Sequence, residues 1–492
     1  MSTLLDRLFQ VARERPESVA IVHKDESISY RGLADQVRNF GQKLSAECPP
    51  GSTVVLVIPN SISYVIALYA CWFAGVIAVP TDANAKEREI EQVVTHARPK
   101  LMISSSRKKH VVSLVDRCGL HFIDIDNAFP GHPAGHDEGR FTESDALIIY
   151  TSGTSGDPKG VVLTHDNLWA NVVSVVDYLA LSGNDSTVVV LPFHYSYGNS
   201  VLHTHLFVGA TVVIGASMMY PQQVTDQLRH YAVTGFSGVP TTMSLLVDRT
   251  DFASDPPPLR YVTQAGGGMS RDLTMRLRAA LAKGTSLFVM YGQTEATARL
   301  TWLPPDRLDE KLGSAGKSIP GVTLRIAGKD GQPMTTGQVG EVLALGDNVM
   351  SRYWCNPEAT KATVVDGWLH TGDLGFLDAD GFLFIQGRAS EMIKTGAYRV
   401  SPKEIEELIV SLDCVDEVAV CGLPDELLGQ VIAAFLVGED SPINARKVLS
   451  LCRRSLSLHK VPRYIEWREQ LPRTASGKLK KHLLVTSHDT RA

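Results

Sequence analysis

Along the first half of the chain, apolar runs bounded by turn residues alternate with segments of helical periodicity. Val54 to Pro59 predicts a buried strand, and Ser61 begins a helix through Ala74. A second strand, Val76 to Val79, ends at Pro80; a charged helix, Lys86 to His96, then leads to a third strand, Lys100 to Ser104. Ala146 to Tyr150 and Val161 to Leu163 predict strands on either side of a turn. Asn167 to Leu179 predicts a helix, and Thr187 to Leu191 and Ser286 to Met290 further strands. Strands alternating with helices imply parallel sheets and an α/β fold. From Gly313 the pattern changes. Short β runs (Thr323 to Ile326, Glu341 to Ala344, Phe382 to Ile385), separated by Gly, Asp and Pro, predict a small distorted β-subdomain. Pro402 opens a helix, Lys403 to Ser411, with glutamates in its first turns as the helix dipole prefers. Strand-like runs (Val418 to Val420, Ile432 to Val437) and a helix near Ala445 to Ser457 complete a small α+β domain.

At 492 residues the chain is too long for one ordinary core, and 44% hydrophobic with 21% charged residues fits a globular protein. A net charge of −5 argues against a broad nucleic-acid-binding surface. The seven cysteines are scattered, odd in number and without a CxxC pair, as expected of thiols in a reducing compartment. Met1 to Ala12 is amphipathic and lacks the continuous apolar core of a signal peptide. The longest apolar run, Val65 to Val79, contains Gly75 and falls short of the roughly 20 residues a membrane helix needs. No membrane span and a cytoplasmic location are therefore expected. The loop Phe129 to His136 carries histidines without helical metal spacing, so no metal site is expected there.

The densest candidate chemistry is Tyr150-Thr151-Ser152-Gly153-Thr154-Ser155-Gly156-Asp157-Pro158-Lys159-Gly160, held between two strands. Glycine lets backbone amides approach a ligand, Ser and Thr add hydroxyl donors, and Lys159 adds positive charge. Such a nest suits a polyphosphate. The GxxxxGK[ST] spacing of the common P-loop cannot be laid on it. The string resembles the signature loop of the adenylate-forming superfamily: acyl- and aryl-CoA synthetases, luciferases and nonribosomal peptide adenylation domains. Further matches follow in order: Tyr291-Gly292-Gln293-Thr294-Glu295, Trp368 to Asp373, Gly387 to Pro402, and Leu471-Pro472-Arg473-Thr474-Ala475-Ser476-Gly477-Lys478-Leu479. The motif style is nearest the acyl-CoA synthetase and luciferase branch, and the resemblance covers essentially the whole chain.

The resemblance implies a large N-terminal domain of layered α/β sheets plus the β-subdomain (residues 1–387), a hinge (388–390) and a small mobile α+β domain (391–492). ATP would be held by Thr151, Ser152, Gly153, Thr154, Ser155, Gly156 and Lys159 at its phosphates. Gly266, Gly267 and Gly268 would lie at the adenine, with Tyr291 and Gly292 beside them, and Asp373 and Arg388 at the ribose. Asp373 is expected on a loop. Thr294 would bond phosphate or the bound carboxylate, and Glu295 would supply an oxygen to Mg²⁺, a hard cation that takes carboxylates together with substrate phosphates. His194, in the aromatic segment Pro192 to Asn199 at a strand end, would act as a gate or carboxylate contact. Tyr195, Tyr197, Gly198 and Gly238 would line the acid pocket.

Lys478 would hold the carboxylate against the α-phosphate. Rotation about Ser390 would then present Lys394 to Arg399, Gly396 and Ala397 among them, to the adenylate, where the acceptor attacks. Two departures stand out: Ser390 replaces the usual Asp or Lys of the hinge, and Ala397 the usual glycine of thioester-forming relatives. The implied activity is an ATP- and Mg²⁺-dependent, AMP-forming acid–thiol ligase, with CoA or a carrier-protein phosphopantetheine as acceptor. An amide-forming ligase acting on an amine and a non-catalytic nucleotide-binding relative are the alternatives. No aspartate stands near His194-Tyr195 to pair an α-amine, which favours an acid lacking one, aryl or medium-length acyl.

Overall fold

The computed structural model describes residues 3–128, 144–151, 159–328, 330–395, 398–425, 428–473, 479–481 and 483–485. Its strands form four sheets. In the nine-stranded sheet, Ser286–Tyr291, Tyr261–Gln264, Gly235–Gly238, Ser186–Val189, Thr211–Ile214 and Val19–His23 run parallel, with antiparallel strands at both edges. In the seven-stranded sheet, Asp145–Thr151, Ile77–Pro80, Thr53–Val57, Leu101–Ser104 and His121–Asp124 are parallel, and Lys159–Thr164 and Arg352–Tyr353 extend it antiparallel. The strand–helix alternation of the sequence is thus realised as two layered α/β sheets.

What joins the layers is apolar surface. Ser61 caps the helix Ile62–Phe73 by accepting from the amide of Tyr64, and Tyr64 to Phe73 are all buried. A helix apolar on every face belongs between layers. The largest apolar cluster takes side chains from this helix, from both sheets, and from Leu4–Glu14, Tyr30–Glu47, His165–Leu179 and Ser196–Val208. Thr3 caps the first of these through a capping box with Asp6, and Leu4, Leu5, Leu8, Val11 and Ala12 form its buried stripe. Among the described residues no helix is long and apolar enough to cross a membrane.

The third sheet is antiparallel: Val322–Ala327, Gly340–Gly346, Trp368–Leu377 and Val364–Val365, with Leu383–Arg388 paired to Trp368–Leu377. The fourth consists of Tyr398–Val400, Ile393–Thr395, Gly429–Gly438 and Val415–Asp425, with Tyr464–Trp467 laid parallel on Gly429–Gly438. It carries apolar clusters of its own, one around Ile405, Ile409, Ile432 and Val448 and another around Ala419, Phe435 and Leu471. Two polar contacts tie its N-terminal edge to the third sheet: Ser401 Oγ donates to the Gln386 carbonyl at 2.5 Å, and Lys403 Nζ to that of Ile385 at 2.9 Å.

Two local expectations are corrected. Asp373 lies within the ten-residue strand Trp368–Leu377, opposite Arg388, rather than on a loop. The left-handed Gly372 (φ +71°) beside it gives the segment its turn-like composition. The aromatic segment Pro192 to Asn199 is a turn, closed by the Tyr195 amide donating to the Pro192 carbonyl, that leads into the helix Ser196–Val208, so it is partly helical rather than wholly a strand-end loop.

Candidate active site

The carboxyl ends of four neighbouring parallel strands, Ser186–Val189, Gly235–Gly238, Tyr261–Gln264 and Ser286–Tyr291, lie side by side and frame the candidate cleft, the usual place for a ligand in an open α/β sheet. Tyr261–Gln264 runs into Gly266, Gly267 and Gly268, all three exposed. Gly266 needs its φ of +80°, and Gln264 Nε2 pins the loop by donating to the Gly267 carbonyl at 2.8 Å. The result is a bare backbone surface against which a flat ring can lie. Lys403 comes close to it, within 3.8 Å of where a Cβ on Gly268 would stand.

The neighbouring strand, Ser286–Tyr291, delivers Tyr291, whose hydroxyl donates to Asp373 Oδ2 at 2.6 Å. Arg388 Nε pairs with Asp373 Oδ1 at 3.2 Å. Asp373 is only 5% exposed, and burial pushes its carboxyl above the usual range while Arg388 and Tyr291 pull it back. Each oxygen keeps a second acceptor site after these bonds, so the carboxylate can still receive two vicinal hydroxyls. Gly292 is glycine for packing: a Cβ would stand 2.2 Å from the Ala298 carbonyl oxygen.

Thr294, Glu295 and Ala296 form a single 3-10 turn. Thr294 Oγ1 lies 3.2 Å from Ser196 Oγ. Glu295 Oε1 accepts from Tyr353 at 2.9 Å, and Lys159 Nζ stands 5.0 Å over the Tyr353 ring. Tyr353 therefore links two predicted site residues, and sequence reasoning missed it. It comes from an edge strand whose pairing, Tyr353 opposite Val161, spans a long stretch of chain. No local pattern marks such a residue. Thr151 and Lys159 face one another and close the hairpin, while Ser152 to Pro158 lie outside the described residues. Gly396, Ala397 and Lys478 also lie outside them. Ser390 falls in the 3-10 turn Ala389–Glu391, and Lys394 is exposed on Ile393–Thr395.

On the acid side, His194 Nε2 is buried without a hydrogen-bond partner, and burial holds its ring at about 4, offset only in part by Asp82. His194 is therefore neutral at pH 7, and toward a carboxylate it could act only as a hydrogen-bond donor, not as a cation. It packs on Tyr195, ring centroids 4.2 Å apart. Tyr197 donates to the Thr263 carbonyl at 3.0 Å, with its ring next to Gly266. Gly198 abuts the Pro192 carbonyl, where a Cβ would stand 2.2 Å away, and Gly238 abuts Thr242.

Among the described residues no cluster of three or more His, Cys, Asp or Glu side chains can cage a metal ion. Mg²⁺ needs only a carboxylate or two from protein when phosphates supply the rest, and Glu295 Oε2 would have the right chemistry for it.

Layered α/β sheets with this arrangement of residues are what the resemblance to adenylate-forming enzymes leads one to expect. The AMP-binding enzyme family matches residues 8–354 and the AMP-binding enzyme C-terminal domain residues 404–478, and the chain belongs to this family. It is similar to 2-succinylbenzoate–CoA ligase of Bacillus cytotoxicus, 31% identical over 482 residues, 97% of this chain and 98% of the relative. It is similar also to feruloyl-CoA synthase of Amycolatopsis sp., 32% identical over 480 residues, 96% of each. Among solved structures, o-succinylbenzoate coenzyme A synthetase of Bacillus subtilis in complex with its acyl-adenylate aligns with a TM-score of 0.87 at 30% identity, covering 97% of both chains. The same enzyme in complex with ATP and magnesium ion also aligns with a TM-score of 0.87, over 97% of this chain and 98% of that one.

Proposed function

We propose that this cleft activates an aromatic carboxylic acid as its adenylate and passes the acyl group to coenzyme A. The chain is an ATP- and Mg²⁺-dependent, AMP-forming ligase of the acyl-CoA synthetase class. A carboxylate oxygen attacks the α-phosphorus, the bond to the departing pyrophosphate breaks, and the thiol of the acceptor then displaces AMP from the acyl carbon. Catalysis in such a site is mainly positioning and charge stabilisation. In our assignment Asp373 and Arg388 hold the ribose, Gly266 to Gly268 the adenine, and Lys159 with Thr151 to Gly156 the phosphates. Glu295 would hold Mg²⁺, which supplies charge neutralisation at the phosphates. Thr294 and His194 orient the carboxylate, and Lys478 is the cation that meets the forming bond. Residues 391–492 turn about Ser390 and bring Lys394 to Arg399 to the adenylate, where the acceptor attacks.

The observation that carries the assignment is the convergence of Tyr291, Asp373 and Arg388 with the linked set Glu295, Tyr353 and Lys159. Both curated relatives described above are named for aromatic acids, which supports an aromatic substrate here. Seven free cysteines fit a cytoplasmic setting. The test is pyrophosphate release over a panel of acids, repeated with CoA, with a phosphopantetheinylated carrier protein and with hydroxylamine. The assignment predicts release with aromatic acids and thioester formation with CoA. Release with amino acids alone, or transfer only to amines, contradicts it.

A further inference from the structure

Arg299 is among the largest fully buried side chains of the protein, 2% exposed, and its guanidinium has no carboxylate within 4.0 Å among the described residues. Its Nη1 donates to the Ala298 carbonyl at 3.2 Å, and its Nε is buried without a partner. The Tyr178 hydroxyl lies close enough to hydrogen-bond the guanidinium, but burial raises the Tyr178 and Tyr197 phenols well clear of ionisation at pH 7, so neither supplies a counter-charge. The guanidinium carbon stands 4.1 Å over the Tyr197 ring. That cation–π contact offsets only part of the cost of burying an ion.

The fold holds this arginine in place by unusual means. Thr297 (φ 52°) and Ala298 (φ 89°) are successive non-glycine residues in the left-handed region, a costly turn that brings the chain back into the interior. Asn348 Nδ2 donates to the Ala296 and Arg299 carbonyls at 3.0 and 2.8 Å, Thr297 Oγ1 donates to the Asn348 carbonyl, and Asn171 Nδ2 donates to the Arg299 carbonyl. The same neighbourhood contains a small cavity lined by Asn171, Ser196, Ser200, His203 and Thr297. There the buried Ser200 Oγ and His203 Nε2 have no partner either. Ser196 meets Thr294 at one end of this region, and Tyr197, the next residue, carries the guanidinium on its ring.

We propose that Arg299 selects the acid, receiving a second, distal carboxylate, so that this ligase acts on diacids. The proposal rests on the ligase assignment above. An acid whose reacting carboxylate sits at Thr294 and Ser196 extends along the Tyr197 ring, which directs the distal group toward the guanidinium. A site built around a buried polar group rejects the analogue that leaves it unpaired.

The experiment measures kcat/KM for pyrophosphate release with matched acids: benzoate against phthalate and terephthalate, 3-phenylpropanoate against its ring-carboxylated forms, and hexanoate against adipate. Wild type is expected to favour at least one diacid over its matched monoacid by about 10²-fold, the size of a charged hydrogen bond gained or lost. Arg299→Met should abolish that ratio by losing the diacid while keeping the monoacid, and Arg299→Lys should restore it in part. A wild type that uses every monoacid as well as its diacid overturns the proposal, whether or not Arg299→Met folds. A folded Arg299→Met that lowers both acids equally also overturns it. If no acid releases pyrophosphate the ligase assignment fails, and calorimetry of the same pairs on wild type and Arg299→Lys still decides the anion site. Tighter binding of the diacid supports it, and equal binding refutes it.

Discussion

On the side of the cleft proposed for the nucleotide, charged groups answer one another: Asp373 receives Tyr291 and Arg388, and Glu295 receives Tyr353 beneath Lys159. Around the side proposed for the acid, the buried ionisable groups are either neutral or without a counter-ion among the described residues. His194 and His203 are held uncharged, and Arg299 lacks a counter-ion among the described residues. A site for a constant ligand can be electrostatically complete within the protein, since ATP only has to compete for lone pairs. A site that must discriminate among acids gains from polar groups that only the right acid satisfies. Substitutions on the two sides should therefore fail differently.

The largest expected effect is that of losing the proposed catalytic cation. Lys478→Ala should lower the rate of adenylate formation by roughly 10²–10³-fold, as loss of a transition-state contact does, with little change in the KM for ATP. Single-turnover pyrophosphate release checks this; a near-wild-type rate removes Lys478 from the reaction. On the nucleotide side, Asp373→Ala should weaken ATP binding by about 1.5–3 kcal/mol, read by calorimetry. Unchanged affinity would break the claim that this paired carboxylate holds the ribose.

Around the acid side the sharper probe is pH. Burial depresses His203 and His205 to about 3 and about 4 from 6.5, so the unfolded chain takes up these protons first. Stability is fully present above pH 6.5 and is lost as pH falls from 6.5 towards the folded values. Each ring contributes about 1.4 kcal/mol per pH unit inside that window. Urea unfolding at about pH 6.5 and 5.5 measures the slope, and His203→Gln should flatten it. A slope unaffected by that change would mean the ring is protonated in the folded state. The smallest effect is expected for Tyr353→Phe, which frees Glu295 at a cost of about 0.5–1.5 kcal/mol and should raise the Mg²⁺ requirement several-fold. An unaltered Mg²⁺ titration would separate Tyr353 from the metal.

The same contrast explains what can be read in the sequence. The nucleotide side is made of contiguous strings, such as Tyr291 to Glu295 and Gly266 to Gly268, whose glycines and hydroxyls announce backbone approach to a ligand. The layered sheets are equally legible, because strands buried on both faces are continuous apolar runs. Asp373 reads as a loop residue because Thr371-Gly372-Asp373 has turn composition, whereas pairing with Leu383–Arg388 makes it a strand. Tyr353 and Arg299 escape notice for a different reason. Their roles depend on contacts with Lys159 and Tyr197, each more than a hundred residues away in the chain, and no period or motif encodes them. The amphipathic helix Tyr30–Glu47 also goes unread, although Tyr30, Leu33, Ala34, Val37 and Leu44 form its buried stripe.

The central claim, AMP-forming ligation of an acid to a thiol, is tested most directly by following phosphorus and thioester together. Wild-type protein with Mg²⁺-ATP, an aromatic acid panel and CoA is analysed by phosphorus NMR and mass spectrometry of the acyl-CoA pool. The account predicts AMP, pyrophosphate and acyl-CoA in equal amounts, with acyl-adenylate accumulating when CoA is left out. ADP and orthophosphate as products, or ATP cleavage that never depends on an acid, would contradict it.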